Sequence, residues 1–105
     1  MQIHITSQAW EKLMAAWPKE KVLRINGEVV GGCGMNVEYS LFWDERALHD
    51  QTTEIEGFPI HIDRETIEYL DTESLTIDYR ANQGFKLVSP AQTLAYALSV
   101  KHRWE

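Results

Sequence analysis

Apolar and polar residues alternate with a period of two along much of this chain, and the breaks in that alternation carry helix and turn signals. Ile3 and Ile5 alternate with Gln2 and His4, which predicts a short opening strand. Thr6 or Ser7 then supplies an N-cap for a helix from Gln8 to about Trp17, with Ala9, Leu13, Ala16 and Trp17 on one face and Pro18 as its stop. Val22 to Ile25 reads as a second strand. Asn26-Gly27 predicts a turn, after which Glu28-Val29-Val30 completes a hairpin that precedes Cys33. Val37, Tyr39, Leu41 and Trp43 then share one side of a strand, opposite Glu38, Ser40 and Phe42.

The polar run from Asp44 to Gln51 reads as a loop or irregular edge. Beyond it, Thr53 to Glu56, the Gly57 turn and Pro59 to Ile62 predict another hairpin. Asp63 caps a short helix over Arg64 to Tyr69, with Ile67 and Leu70 turned toward a sheet. Leu75 to Tyr79 pairs with Phe85 to Val88 through an Asn82-Gln83-Gly84 turn. Ser89-Pro90-Ala91-Gln92 matches an N-cap, an N1 proline and an N3 glutamine, which predicts a final helix anchored by Leu94 and Leu98. The sum is a mixed, strand-rich α+β class; the hairpins argue against a parallel sheet with regular crossover helices.

A length of 105 residues predicts a single domain over 1–105. With 16 acidic against 10 basic side chains, the net charge of -6 disfavours a broad phosphate-contacting face, so no nucleic-acid partner is expected. Lys101, His102 and Arg103 form the one basic cluster near the end and read as a solvated terminus. The opening residues lack a basic segment followed by an apolar run, and no apolar stretch is long enough to span a bilayer. Neither secretion nor membrane insertion is expected. One cysteine forms no intrachain disulfide, which points to a reducing, cytoplasmic setting.

That cysteine, Cys33, lies among Gly31, Gly32 and Gly34. The glycines suit a turn with positive φ or close approach by another molecule, whereas Val29 and Val30 suit a buried, packing thiol; both readings stand. The segment lacks dinucleotide glycine spacing and the Lys-hydroxyl ending of a phosphate loop. No local motif joins His49 or His61 to Cys33 as a catalytic base, and Asp63 with Glu65 fits helix-terminal electrostatics, so no catalytic set is assigned. Thiolate and imidazole both ligate iron or zinc, which makes Cys33, His49 and His61 the candidate metal ligands, with His4 and His102 as looser ones. A 2Fe-2S cluster commonly takes four thiolates. This chain supplies one, so other ligands would come from a second subunit, from histidines or carboxylates, or from an external thiol.

The order of Ile3 to Thr6, the helix, Gly31-Gly32-Cys33-Gly34, Glu56 to Asp63, Leu75 to Tyr79, and Phe85-Lys86-Leu87 followed by Ser89-Pro90 resembles the HesB-like, or A-type iron-sulfur carrier, family. It looks closest to the short HesB-like proteins of Firmicutes. The resemblance implies a pseudo-barrel of mixed β-sheet with flanking helices, and a non-enzymatic role in iron-sulfur cluster biogenesis. Carriers of this family hold iron or a cluster with a cysteine in a glycine-rich loop and a C-terminal Cys-Gly-Cys segment. Cys33 matches the first position, while Ala91 to Leu98 contains no thiolate. The expected function is therefore an accessory factor that handles iron or a labile cluster through Cys33, bound across subunits of a homodimer or delivered to an iron-sulfur client. The alternative is a small cytoplasmic interaction or regulatory domain that has lost metal handling.

Overall fold

The alternating segments become nine strands and two helices among the residues that the computed structural model describes, which are 1–31, 36–46 and 51–102. In chain order these are β1 (Gln2–Ile5), α1 (Ser7–Ala16), β2 (Val22–Val30), β3 (Asn36–Asp44), β4 (Gln51–Ile55), β5 (Phe58–Ile62), α2 (Arg64–Leu70), β6 (Ser74–Arg80), β7 (Gly84–Val88), β8 (Thr93–Leu98) and β9 (Val100–His102). The class is the mixed, strand-rich α+β one expected. Internal contacts divide the chain into two units, Met1–Pro18 with Thr72–Ser99, and Lys19–Asp71 with Val100–Glu105.

The first unit is built on a sheet of order β1-β6-β7-β8, with β1 parallel to β6 and the other pairs antiparallel. Register puts Ile3 beside Leu75 and Ile77 beside Leu87, so one face gathers buried apolar side chains. Helix α1 contributes Ala9 and Leu13, both fully buried; Ala16, expected on the same face, is exposed on the helix's last residue. Thr6 caps this helix, its Oγ1 accepting the Ala9 N–H at 3.3 Å, and the same hydroxyl donates to Asp78 Oδ1 at 2.7 Å. One side chain thereby ends a strand, starts a helix and ties both to β6. Trp17 adopts the extended backbone that a following proline imposes.

The predicted final helix is a strand instead. Ser89 closes a turn: its N–H donates to the Gln92 carbonyl at 2.8 Å, and its Oγ accepts the Gln92 N–H at 3.2 Å. Serine bonded to nearby backbone serves turns as readily as helix caps. The turn returns Thr93–Leu98 antiparallel along β7, and that pairing satisfies backbone groups of β7 that a helix would leave open.

The second unit is built on a sheet of order β4-β5-β2-β3-β9, in which β2 runs parallel to β5 and β3 parallel to β9. Its apolar face follows from register, with Leu23 between Ile60 and Trp43, and Ile25 between Ile62 and Leu41, all buried. Trp43 meets Phe58 edge to face, ring centroids 6.1 Å apart. All of β5 is buried, as a strand flanked by β4 and β2 requires. Its proline is tolerated because pairing with β2 begins one residue later, at Ile60. Glu56 and Gly57 join β4 to β5 with φ of 49° and 82°, the two positive values of a type I′ turn. Asp63 caps α2 as expected; the helix extends to Leu70, and its buried residues are Thr66 and Leu70, with Ile67 half-buried.

The Asn26-Gly27 turn is also corrected. Both residues lie within β2, which pairs with β3 without interruption from Val22↔Asp44 to Val30↔Asn36. Gly27 is there for space rather than for φ. A Cβ at this position would stand 3.1 Å from Tyr39 Cε1 and 3.3 Å from Tyr69 Cδ2. The last described pair of this hairpin is Val30 with Asn36, and Cys33 lies between them in sequence.

Candidate metal-handling site

Nine consecutive register pairs make β2 and β3 a long hairpin whose two halves have different surroundings. Strand β5 pairs with β2 only over Leu23–Ile25, and β9 with β3 only over Leu41–Trp43. Residues 26–30 and 36–40 therefore have only each other as strand partners among the described residues. Burial follows the same division: Leu23, Ile25 and Leu41 are inaccessible, while Glu28, Gly31, Asn36 and Glu38 are exposed and Val29 is 43% exposed. Glu28 lies directly opposite Glu38, a like-charge pair that weakens this part of the ribbon.

The root of this two-stranded arm is fixed by α2. Asp63 Oδ1 accepts the Thr66 N–H at 2.8 Å, and Thr66 Oγ1 accepts the Gly27 N–H at 2.9 Å. Helix cap, helix and strand are thus joined through one buried threonine. Tyr39 packs on Gly27, and burial raises its phenol above the usual range, so the ring remains neutral at physiological pH. At the far end Gly31 has φ of 91°, the positive value its place beside Cys33 suggested. Cys33, Gly32 and Gly34 themselves lie outside the described residues, as does His49.

His61 is described, and it is buried in the middle of the sheet, 2% exposed. Its Nε2 is 3.2 Å from Thr52 Oγ1. Register sets His61 beside Arg24, so one face of the sheet carries Thr52, His61, Arg24, Phe42 and Lys101 in a row across its five strands. From Arg24 to Val30, the last paired residue before the Cys33 segment, the strand advances about 20 Å at ~3.3 Å per residue. His61 therefore stands level with the buried base of the hairpin rather than with its last described pair, Val30 and Asn36. His4 is exposed on β1 and His102 on β9. Among the described residues, no three His, Cys, Asp or Glu side chains group to hold a metal ion.

Sequence reasoning missed the buried ion pair on this polar face, where Arg24 Nε donates to Asp44 Oδ2 at 2.7 Å. Its signal was present: an arginine interrupts the otherwise apolar Val22-Leu23-Arg24-Ile25, and a charge inside such a strand implies a partner. Asp44, expected in a loop or irregular edge, closes β3 opposite Val22.

These sheets and this hairpin belong to a recognised class. The model of the iron-sulphur cluster biosynthesis family matches residues 1–102, and the chain belongs to that family. Among curated proteins it is similar to Protein Rv2204c of Mycobacterium tuberculosis and Protein Mb2227c of Mycobacterium bovis, each 37% identical over 65 residues, 60% of this chain and 54% of the relative. The chain spans about half the length of these curated relatives. Among solved structures, a Lactobacillus acidophilus protein assigned to Fe-S biosynthesis superposes with a TM-score of 0.70 at 18% identity, covering 97% of this chain and 90% of that one. Escherichia coli SufA, involved in biosynthesis of iron-sulfur clusters, gives 0.60 at 19% identity over 85% of this chain and 81% of its own. IscA with its 2Fe-2S cluster gives 0.60 at 23% identity over 85% and 86%. At these identities the structural likeness establishes the fold, which is the mixed α+β one of the HesB-like proteins.

Proposed function

We propose that this protein is a non-catalytic accessory factor of iron-sulfur cluster biogenesis that takes iron or a labile cluster as cargo through Cys33. The observation that carries the reading is the family match over residues 1–102, which includes the connection between β2 and β3 where the chain's one cysteine lies. The hairpin supports it physically: its described end is exposed and free of neighbouring strands, which suits approach by a second protein, while its root is fixed by Thr66 and the tyrosines. A thiolate suits iron, but one thiolate per chain leaves the coordination sphere of a cluster incomplete. The remaining ligands are then supplied across a homodimer, by an iron-sulfur client or by an external thiol. His61, in the buried polar row, is assigned a structural role in this reading.

The test is anaerobic reconstitution with iron and sulfide, comparing the native chain with Cys33→Ala after removal of loosely bound metal. Stoichiometric iron and acid-labile sulfide with a visible absorption band in the native chain alone supports the proposal. Equal signals in both chains reject Cys33 as the essential ligand. Absence of both from folded preparations favours an interaction or regulatory domain that has lost metal handling.

A further inference from the structure

The first unit has a groove that the cluster-handling reading does not use. It has a volume of about 680 Å³ and is lined by Arg80 of β6, Asn82 and Gln83 of the following turn, Lys86 of β7, and Thr93 and Tyr96 of β8. Its floor is made by an irregularity in pairing. Phe85 pairs with Leu98 and Leu87 with Ala95, so two steps along β7 match three along β8, and Tyr96 with Ala97 together oppose Lys86. This is a β-bulge, a device that re-aims side chains and recurs beside binding sites. Ala97 has φ of 57°, a left-handed conformation costly for alanine, and it packs against Gly84, whose φ is 79°. The bulge leaves Tyr96 76% exposed, well above the other exposed large apolar or aromatic residues, Val29 and Met1.

The charge in the groove runs against that of the chain. The net charge is -6, yet Arg80 and Lys86 enter none of the ion pairs formed among the described residues. Asp78 lies opposite Lys86 on β6, and its Oδ1 accepts from the Thr6 hydroxyl and the Tyr79 N–H. The lining itself holds two cations and no acid. Beside them stand two amides, a threonine hydroxyl and an uncovered aromatic ring. Cations bind phosphate oxygens through charge-assisted hydrogen bonds, and an exposed ring stacks on a flat heterocycle. The volume falls within the range of small-molecule sites, and a bulged edge disfavours addition of a peptide strand to β8.

We propose that this groove binds a nucleoside diphosphate or a ligand of the same chemistry, with Arg80 and Lys86 on the phosphates and Tyr96 against the base. The test is titration of the metal-free, ¹⁵N-labelled chain with adenosine diphosphate, with inorganic pyrophosphate and adenosine as separate probes. Saturable shifts confined to the amides of Arg80–Lys86 and Thr93–Ala97 are expected. Arg80→Gln and Lys86→Gln should each weaken binding about tenfold, the value of one charge-assisted hydrogen bond. Tyr96→Ser should reduce affinity for the diphosphate while leaving pyrophosphate unaffected. These side chains are on the surface, and each variant's own spectrum reports whether it folds. Absence of saturable shifts at millimolar nucleotide, shifts indifferent to both charge variants, or pyrophosphate binding as tightly as the nucleotide overturns the proposal. Cys33→Ser should bind nucleotide unchanged, so the outcome is independent of iron handling.

Discussion

Arg24 and Asp44 form an ion pair 2.7 Å long with both side chains about nine-tenths buried, on two strands whose opposite face buries Leu23, Ile25, Leu41 and Trp43. Removing one partner strands a charge away from water, which typically costs about 3–5 kcal/mol, whereas apolar replacement of both is often neutral. Arg24→Met and Asp44→Leu should each shift the urea midpoint strongly downward, and the double variant should recover much of the loss. Additive losses in this cycle would show that the two side chains contribute separately.

Asp78 makes stability depend on pH in the acid range. The Thr6 hydroxyl holds its carboxyl below the usual range; partial burial opposes this, and the Tyr79 N–H and the charges of Arg80 and Lys86 add to it. A group depressed in the folded state contributes stability above its unfolded value of ~3.9, and that contribution disappears as pH falls through the lower folded value. Asp78→Asn should be less stable than the native chain at pH 7, with the gap closing as pH falls below about 4. Urea melts at several pH values measure it; a gap constant with pH is the contrary result.

Thr6→Val should lose more than a cap. An N-cap threonine typically contributes about 1 kcal/mol, and here the same hydroxyl also serves Asp78. Thr6→Ser keeps both bonds and should restore most of the stability. In Thr6→Val the Asp78 carboxyl should titrate at higher pH, visible in side-chain carboxyl NMR.

Two residues under the groove should respond in opposite directions. A Cβ on Gly84 would stand 2.8 Å from the Leu98 carbonyl oxygen, at φ of 79°. Gly84→Ala should therefore destabilise by more than about 1 kcal/mol and reduce amide protection along β7 and β8. Ala97→Gly relieves a left-handed alanine and should stabilise by up to about 1 kcal/mol. Thermal melts of the two variants should bracket the native chain.

Most of the architecture was legible because alternation in a half-buried strand is a local property: Val37, Tyr39, Leu41 and Trp43 announce their face without reference to a partner. Caps are similarly local, and Asp63 could be read from its immediate sequence. What misled was local chemistry with two uses. Asn26-Gly27 is a good turn, yet both residues pair within β2, and the tyrosines that fill the space above Gly27, Tyr39 and Tyr69, come from elsewhere in the chain. Ser89-Pro90-Ala91-Gln92 is a good helix start, and becomes a turn because β7 has an edge to pair. The parallel neighbours of β2 and β3 left no pattern, since such pairings join segments far apart in the chain. The glycine signal at Gly31 was legible; the row of Thr52, His61 and Arg24 arises only from register.

The two-stranded arm has an energetic consequence. Its outer pairs, Val29 with Val37 and Val30 with Asn36, share no strand neighbour with the buried base, so they can break and reform while Leu23, Ile25 and Leu41 stay packed. Opening of these outer pairs is thereby thermodynamically insulated from global unfolding. A change confined to them works against a few exposed hydrogen bonds rather than against the core.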